Sequence, residues 1–212
     1  SKPELSSKAE LKYDSSDNLE IQANFEAIGE TSPVIINEIN YNSAASFDTG
    51  DWVELTNRTD VPVDISEWQI KDSAADTVFV IPGNTTLQAG DFLVICRDIA
   101  QFAQLNPDVT NAIGNLGFGL NGQSDQVRLF NPAGALIDSI SYSDAAPWPD
   151  QADGQGPTLE LLDPGFDNSL AANWSASATT GGTPGRKNSV TTAIADEQLT
   201  PVRFDLSQNY PN

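Results

Sequence analysis

The chain has 212 residues, of which 10 are basic, 30 are acidic and none is histidine, which gives a formal net charge of −20. A surface this negative repels phosphate backbones and anionic membranes, so a nucleic-acid partner is disfavoured. The lack of histidine removes the commonest general base and the commonest zinc ligand. No apolar stretch approaches the ~20 residues of a membrane helix, which indicates that the chain has no transmembrane segment.

Residues 1–32 are predicted to be a linker that contains one extra strand. Within it, residues 18–27 alternate apolar and polar side chains, and this period of two is typical of a strand with one apolar face. The strand belongs either to a preceding domain or to the edge of the domain that follows.

From residue 34 onward, strand patterns follow one another closely, with turn residues between them. The predicted strands cover residues 34–41, 51–57, 61–65, 68–71, 78–81, 92–96, 126–130 and 136–142. The third contains Pro62, which places it at a sheet edge, and residues 131–134 predict a hairpin turn between the last two. Helical periodicity is confined to residues 98–105, before Pro107. Many short strands without helical crossovers predict an all-β sandwich.

The single cysteine, Cys96, lies in an apolar run and cannot form an internal disulfide, so we interpret it as a buried hydrophobic residue. Trp52 and Trp68 lie in strand segments and are predicted to pack in the core. The sequence contains no Gly-x-Ser-x-Gly motif and no histidine that would activate a serine, so the chain is predicted not to be an enzyme and to need no cofactor.

Asp48, Asp51 and Glu54 form the closest group of carboxylates near a turn, and they are the candidate ligands for a Ca²⁺ ion. Calcium needs several oxygen ligands, and turn aspartates together with backbone carbonyls can supply them. The alternative is that these side chains cap turns by accepting hydrogen bonds from their own backbone. The same two interpretations apply to Asp72 with Asp76 and to Asp150 with Asp153.

Trp148 lies between two prolines and is the candidate ligand contact. An exposed indole can stack on a sugar ring or anchor a partner protein. The alternative is that Trp148 packs its loop against the sheet.

The ordered series of segments resembles the bacterial form of the lamin tail domain over residues 33–188. The segments that carry this resemblance are IINEINYN, DWVELTN, ISEWQIKD, IPGNTTLQAGDFLVI, GLNGQSDQVRLFNPAGALIDSISY, GQGPTLELL, NWSAS and GGTPGRKN. The resemblance implies an immunoglobulin-like β-sandwich without a core disulfide. Residues 189–200 are then a polar linker.

Residues 201–212 contain FDLSQNYPN, which resembles the start of the C-terminal sorting signal that the type IX secretion system of Bacteroidetes recognises. This second resemblance implies a piece of a larger protein that is extracellular or attached to the outer-membrane surface.

Together these features predict a non-catalytic extracellular interaction or scaffolding module of a larger multidomain protein. Its expected partners are a protein or polysaccharide at the cell surface, or neighbouring domains of the same chain. Two alternatives stay open. One is a carbohydrate-binding accessory module of an upstream hydrolase, and the other is a calcium-stabilised adhesion domain.

Overall fold

A computed structural model describes residues 32–74 and 76–190 of the chain. The predicted extra strand at residues 18–27, most of the predicted linker at residues 189–200, and the sorting segment at residues 201–212 lie outside the described residues.

Short strands make up most of the regular structure within the described residues. They are β1 (Val34–Asn40), β2 (Trp52–Asn57), β3 (Val63–Asp64), β4 (Gln69–Lys71), β5 (Phe79–Val80), β6 (Thr86–Leu87), β7 (Phe92–Cys96), β8 (Ala112–Gly114), β9 (Ser124–Phe130), β10 (Leu136–Ser143), β11 (Leu159–Leu161) and β12 (Trp174–Ala176). One α-helix, α1 (Ile99–Leu105), follows β7, and two 3₁₀ turns cover Asp150–Ala152 and Ala171–Asn173. The all-β prediction is therefore confirmed.

The strands form two main sheets. The larger has six strands in the order β12-β11-β1-β2-β7-β8, and the second has four in the order β10-β9-β4-β5. Strands β3 and β6 pair separately. All pairings are antiparallel except that of β7 with β8. The predicted hairpin at residues 131–134 is confirmed, since it joins the antiparallel strands β9 and β10.

The core is built from the inward-facing side chains of the two sheets. In β1, Ile36 lies opposite Leu55 and Ile39 lies opposite Val53, and all four side chains are buried in the same cluster. Residues 36 and 39 have opposite parity, so a regular strand would place them on opposite faces. A bulge between Ile36 and Glu38 inserts an extra residue and turns both isoleucines toward the core.

The outer face of the six-stranded sheet is also covered. Trp52, Val94 and Cys96 form a second buried cluster with Phe102 of α1. The Phe102 ring meets the Trp52 indole edge-on, with the ring centroids 6.0 Å apart. Asp98 caps this helix by accepting hydrogen bonds from the amides of Ala100 and Gln101. Burial raises the pKa of the Cys96 thiol to about 12. The interpretation of Cys96 as a small buried residue is therefore confirmed.

Candidate functional site

Asp48 and Asp51 lie beside the turn that leads into β2, and both carboxylates accept backbone hydrogen bonds. Asp48 accepts one from the amide of Gly50 at 2.9 Å. Asp51 accepts one from the amide of Leu120 at 2.9 Å and pairs with Arg97 at 3.3 Å. Asp48 therefore caps its own turn, as the alternative expects, whereas Asp51 accepts from the amide of Leu120 on a segment distant in sequence.

Glu54 lies three residues after Asp51 and faces the opposite side of β2, because successive strand residues alternate. It is directly opposite Glu38 and Val94 on the neighbouring strands, and its carboxylate contacts Asn37 and Gly185. The structure thus does not bring Glu54 together with Asp48 and Asp51. Within residues 32–74 and 76–190, no three His, Cys, Asp or Glu side chains are grouped so that they could hold a metal ion. Calcium binding was one of two interpretations of these turns from the sequence, and it stays untested.

Glu38, Glu54 and Glu160 form a continuous row on the outer face of the six-stranded sheet, which we call the glutamate row. Glu38 on β1 is the direct cross-strand neighbour of Glu160 on β11 and of Glu54 on β2. Directly opposed residues have Cβ atoms ~5 Å apart. All three side chains are 0% exposed, so three acidic groups are buried side by side.

Residues 181–190 lie over the glutamate row, and we call this segment the strap. One strap amide reaches each glutamate: Thr183 N donates to Glu38 at 3.0 Å, Gly185 N to Glu54 at 2.6 Å, and Val190 N to Glu160 at 3.0 Å. The hydroxyls of Thr183 and Ser189 also donate to Glu160, each at 2.7 Å. Two further hydrogen bonds come from outside the strap: Asn37 Nδ2 donates to Glu54 at 2.8 Å, and Thr158 Oγ1 donates to Glu38 at 2.5 Å.

These donors are all uncharged, so they satisfy the carboxyl oxygens without neutralising the row. Burial and the neighbouring carboxylates Glu54 and Glu160 raise the pKa of Glu38 well above its usual range. Burial raises the pKa of Glu54 to about 8, against the opposing effect of its hydrogen bonds with Asn37 and Gly185. These raised pKa values favour the protonated forms of Glu38 and Glu54 at neutral pH.

Trp148 is half-buried and packs against the core, with its ring centroid 6.2 Å from that of Trp174. The structure thus places Trp148 in the packing arrangement that was the alternative to ligand stacking. Tyr41 stacks on Tyr142, with the ring centroids 4.6 Å apart. The buried hydroxyl of Tyr41 has no hydrogen-bond partner among the described residues. Asp153, one of the other calcium candidates, accepts a hydrogen bond from Asn42 at 2.6 Å.

A cleft of about 560 Å³ opens between the strap, the C-terminal end of β2, the C-terminal end of β11 and Asn37 of β1. Its apolar lining includes Phe92, Leu161 and Leu162, and two basic residues, Arg58 and Lys187, also line it. Arg58 donates to the carbonyl of Pro164 at 3.1 Å, whereas Lys187 is exposed. The volume lies within the range of ligand-binding clefts, ~300–1,000 Å³.

The segments of this sandwich correspond to a known family. The family model described as Lamin Tail Domain matches residues 29–144, more than half of the chain. The chain belongs to the lamin tail domain family. The prediction of an immunoglobulin-like β-sandwich of the lamin-tail type is confirmed. Comparison of the sequence with curated proteins finds no match.

The sandwich of this lamin tail domain extends past the residues that the family model matches. Strand β11 pairs with β1 inside the six-stranded sheet, and Leu159, Leu161 and Trp174 belong to the main core. The strap then covers the outer face of the same sheet. A lamin tail domain of this immunoglobulin-like kind is consistent with a non-catalytic interaction module. Within the described residues, no helix has the length and apolar character needed to cross a membrane.

The glutamate row was not predicted from the sequence as a group. Each member sits inside an apolar strand segment, in INEIN, WVELT and TLELL. A period-two pattern normally assigns such a residue to a solvated face, which is the ordinary place for a charge. The sequence does contain a signal for the row. Three strands carry a glutamate at the position that faces outward from the sheet, and the Gly-Gly-Thr-Pro-Gly segment of the strap follows them in the chain.

Proposed function

We propose that this lamin tail domain is a non-catalytic extracellular interaction module whose binding surface is the cleft lined by Arg58 and Lys187. The observation that supports the proposal is the composition of this cleft, which combines an apolar floor with two basic side chains in an otherwise acidic protein. Its membership of an immunoglobulin-like family favours a protein partner.

The partner that fits this cleft is an extended protein segment that carries an acidic side chain beside apolar ones. The apolar side chains would be buried against Phe92 and Leu162, and the carboxylate would lie near Lys187 and Arg58. The acidic residue on the cleft wall, Asp163, already accepts a hydrogen bond from the amide of Gly165 at 2.7 Å. Asp163 keeps its negative charge, so the two basic side chains and this one acidic side chain leave the cleft with a local charge of +1. At physiological ionic strength the Debye length is ~8 Å, so this local charge outweighs the distant acidic surface.

The packing of Trp148 on Trp174 leaves no comparable support for the carbohydrate-binding alternative. A sugar-stacking platform needs an exposed aromatic face, whereas the Trp148 ring packs against the core.

The test is a binding titration followed by NMR on the full chain, with two short synthetic peptides as probes. Both peptides carry the same apolar residues, but one has aspartate at the positions where the other has lysine. We expect the acidic peptide to shift the signals of Phe92, Leu162 and Lys187, and we expect the basic peptide to leave them in place. Equal binding of both peptides, or binding of neither, would contradict the proposal.

Charge-neutral variants identify the surface. Lys187→Gln and Arg58→Gln are each expected to weaken binding of the acidic peptide several-fold, because each removes one local positive charge. Lys71→Gln is the matched control, since Lys71 lies on the four-stranded sheet over the ring of Phe130. If Lys71→Gln weakens binding as much as Lys187→Gln does, the effect reflects net charge and the cleft is not the binding surface.

A further inference from the structure

The strap is the part of the sandwich whose attachment depends most directly on buried ionisable groups. Its three amide donors, on Thr183, Gly185 and Val190, each bind a different member of the glutamate row. The strap also makes hydrogen bonds that do not involve the row: Gly181 N donates to the carbonyl of Gly156 at 2.8 Å, Ala178 N donates to Ser189 Oγ at 2.8 Å, and Asn111 Nδ2 donates to the carbonyl of Gly185 at 3.1 Å. Asn188 bridges Asn37 and the carbonyl of Leu161. The carboxyl oxygens of the row therefore accept hydrogen bonds from three amides and two hydroxyls of the strap.

The row cannot be fully ionised at low cost while the strap covers it. Each carboxylate is buried, and Glu38 has an acidic neighbour on both sides. The charged side chains that act on Glu38 are Glu54 and Glu160, so like charges add to the desolvation cost.

Positive charge on the covering elements lies away from the row. The two basic side chains of the strap, Arg186 and Lys187, are exposed to solvent. Asp108, on the loop after α1 that borders the strap, is also exposed and is acidic. Burying one ionised carboxyl without a cation is costly, and burying three adjacent ones is more so. Protons on the row or solvent access to it are the two ways to remove this cost.

We propose that the strap is a proton-controlled latch, which stays closed over the six-stranded sheet while the glutamate row holds protons and opens when the row becomes fully ionised. Opening hydrates the three carboxylates and separates them from the strap amides. It also exposes an acidic strip across β11, β1 and β2 that is hidden in the closed form.

The direction of the pH dependence follows from linkage. A carboxyl group whose pKa is higher in the closed form binds more protons there than in the open form, so raising the pH favours opening. The closed form is favoured most below the usual pKa of glutamate, and this preference is lost as the pH rises through the raised values. For Glu54 that value is about 8, and the raised pKa of Glu38 acts in the same direction.

The test is hydrogen–deuterium exchange of the full chain, read by mass spectrometry after labelling at about pH 6.5 and about pH 9. Peptides from the strap are compared with peptides from β2 and β7, and rates are corrected for intrinsic exchange at each pH. We expect the protection of the strap amides to fall at least tenfold more than that of the β2 and β7 amides. Equal loss of protection in the strap and the core, or no loss in either, would overturn the proposal.

Glu38→Gln distinguishes a latch from a general weakness of the strap. Glutamine keeps the acceptor for Thr183 N and has no charge, so this variant is expected to keep the strap protected at the higher pH. Glu67→Gln is the matched control, because Glu67 is exposed and should leave the wild-type opening unchanged. Should Glu38→Gln fail to fold, Glu54→Gln tests the same point at the second glutamate. Strap opening in the folded glutamine variant equal to that of the wild type would refute the latch.

Discussion

Asn57, at the end of β2, makes the most testable polar contact in the fold, because a single buried amide joins three segments of chain. Its Nδ2 donates to the carbonyls of Val61, Leu87 and Gln88 at 2.8–3.1 Å. Its Oδ1 accepts from the amide and the hydroxyl of Thr59 at 3.0 and 2.7 Å. This one side chain therefore connects the six-stranded sheet to the segments that carry β3 and β6.

The cost of removing the amide can be worked out from these contacts. An amide nitrogen has two hydrogens, so the three carbonyls share about two hydrogen bonds, each worth ~1 kcal/mol net. Leaving buried acceptors unpaired adds ~1–3 kcal/mol, so Asn57→Ala is expected to lower the free energy of unfolding by about 3–5 kcal/mol. For a domain of this size, ~1 kcal/mol corresponds to ~2–4 °C in Tm, so the expected decrease is about 10 °C.

Asn57→Asp separates hydrogen bonding from packing. The substitution keeps the shape and the acceptor for Thr59 but replaces the donor by a carboxylate oxygen that faces three carbonyls. We expect it to destabilise the fold at pH 7 more than Asn57→Ala does, and to recover part of the stability near pH 4, where the carboxyl group is protonated. Asn84→Asp is the control, since Asn84 is exposed. Thermal melting of all three variants checks the reasoning, which is refuted if Asn57→Asp and Asn84→Asp melt together.

Three further predictions follow from the contacts above. A chain that ends after Asp144, where the family match ends, is expected to give a poorly dispersed NMR spectrum, because it lacks β11, β12 and the core residues Leu159 and Trp174. A native-like spectrum would show that strands β1 to β10 are sufficient for the fold. The Tm in EDTA and the Tm in millimolar Ca²⁺ at constant ionic strength are expected to be equal, because the Asp48 and Asp51 carboxylates already accept backbone hydrogen bonds. A calcium-specific rise in Tm of several degrees that Asp48→Asn abolishes would instead establish the site. Trp148→Ala is expected to cost roughly 2 kcal/mol in the free energy of unfolding measured by urea titration, and an unchanged midpoint would place this ring outside the packed core.

Much of the fold was predictable because its longer strands carry the pattern that their burial requires. The segments around β1, β2, β7, β9 and β10 were predicted within about two residues of their observed ends. Strands β6, β8, β11 and β12 were missed. They have two or three residues each, too few for a period of two to be distinguished from chance, and their pairing is decided by the strands beside them.

The candidate site was less predictable, because a sequence pattern shows which face of a strand a residue takes and not what covers that face. Glu54 was grouped with Asp48 and Asp51 by nearness in sequence, although an odd spacing along a strand separates their faces. Its actual neighbours, Glu38 and Glu160, are brought beside it by strand pairing. Trp148 shows the same limit, since its packing on Trp174 depends on a contact between separate loops.

The geometry of the strap indicates why this fold buries glutamates at positions where apolar side chains would cost less free energy to bury. The amides of Thr183 and Gly185 reach neighbouring strands β1 and β2, and after a turn the amide of Val190 reaches β11 on the other side of β1. Apolar contacts are non-directional, so they would tolerate a strap displaced by one residue, whereas a one-residue shift would break all three amide hydrogen bonds together. At Gly182 a side chain would also collide with Glu38 and Thr158. We infer that the row fixes the position of the strap on the sheet, and that the energetic cost of this precision is what makes the attachment sensitive to protons.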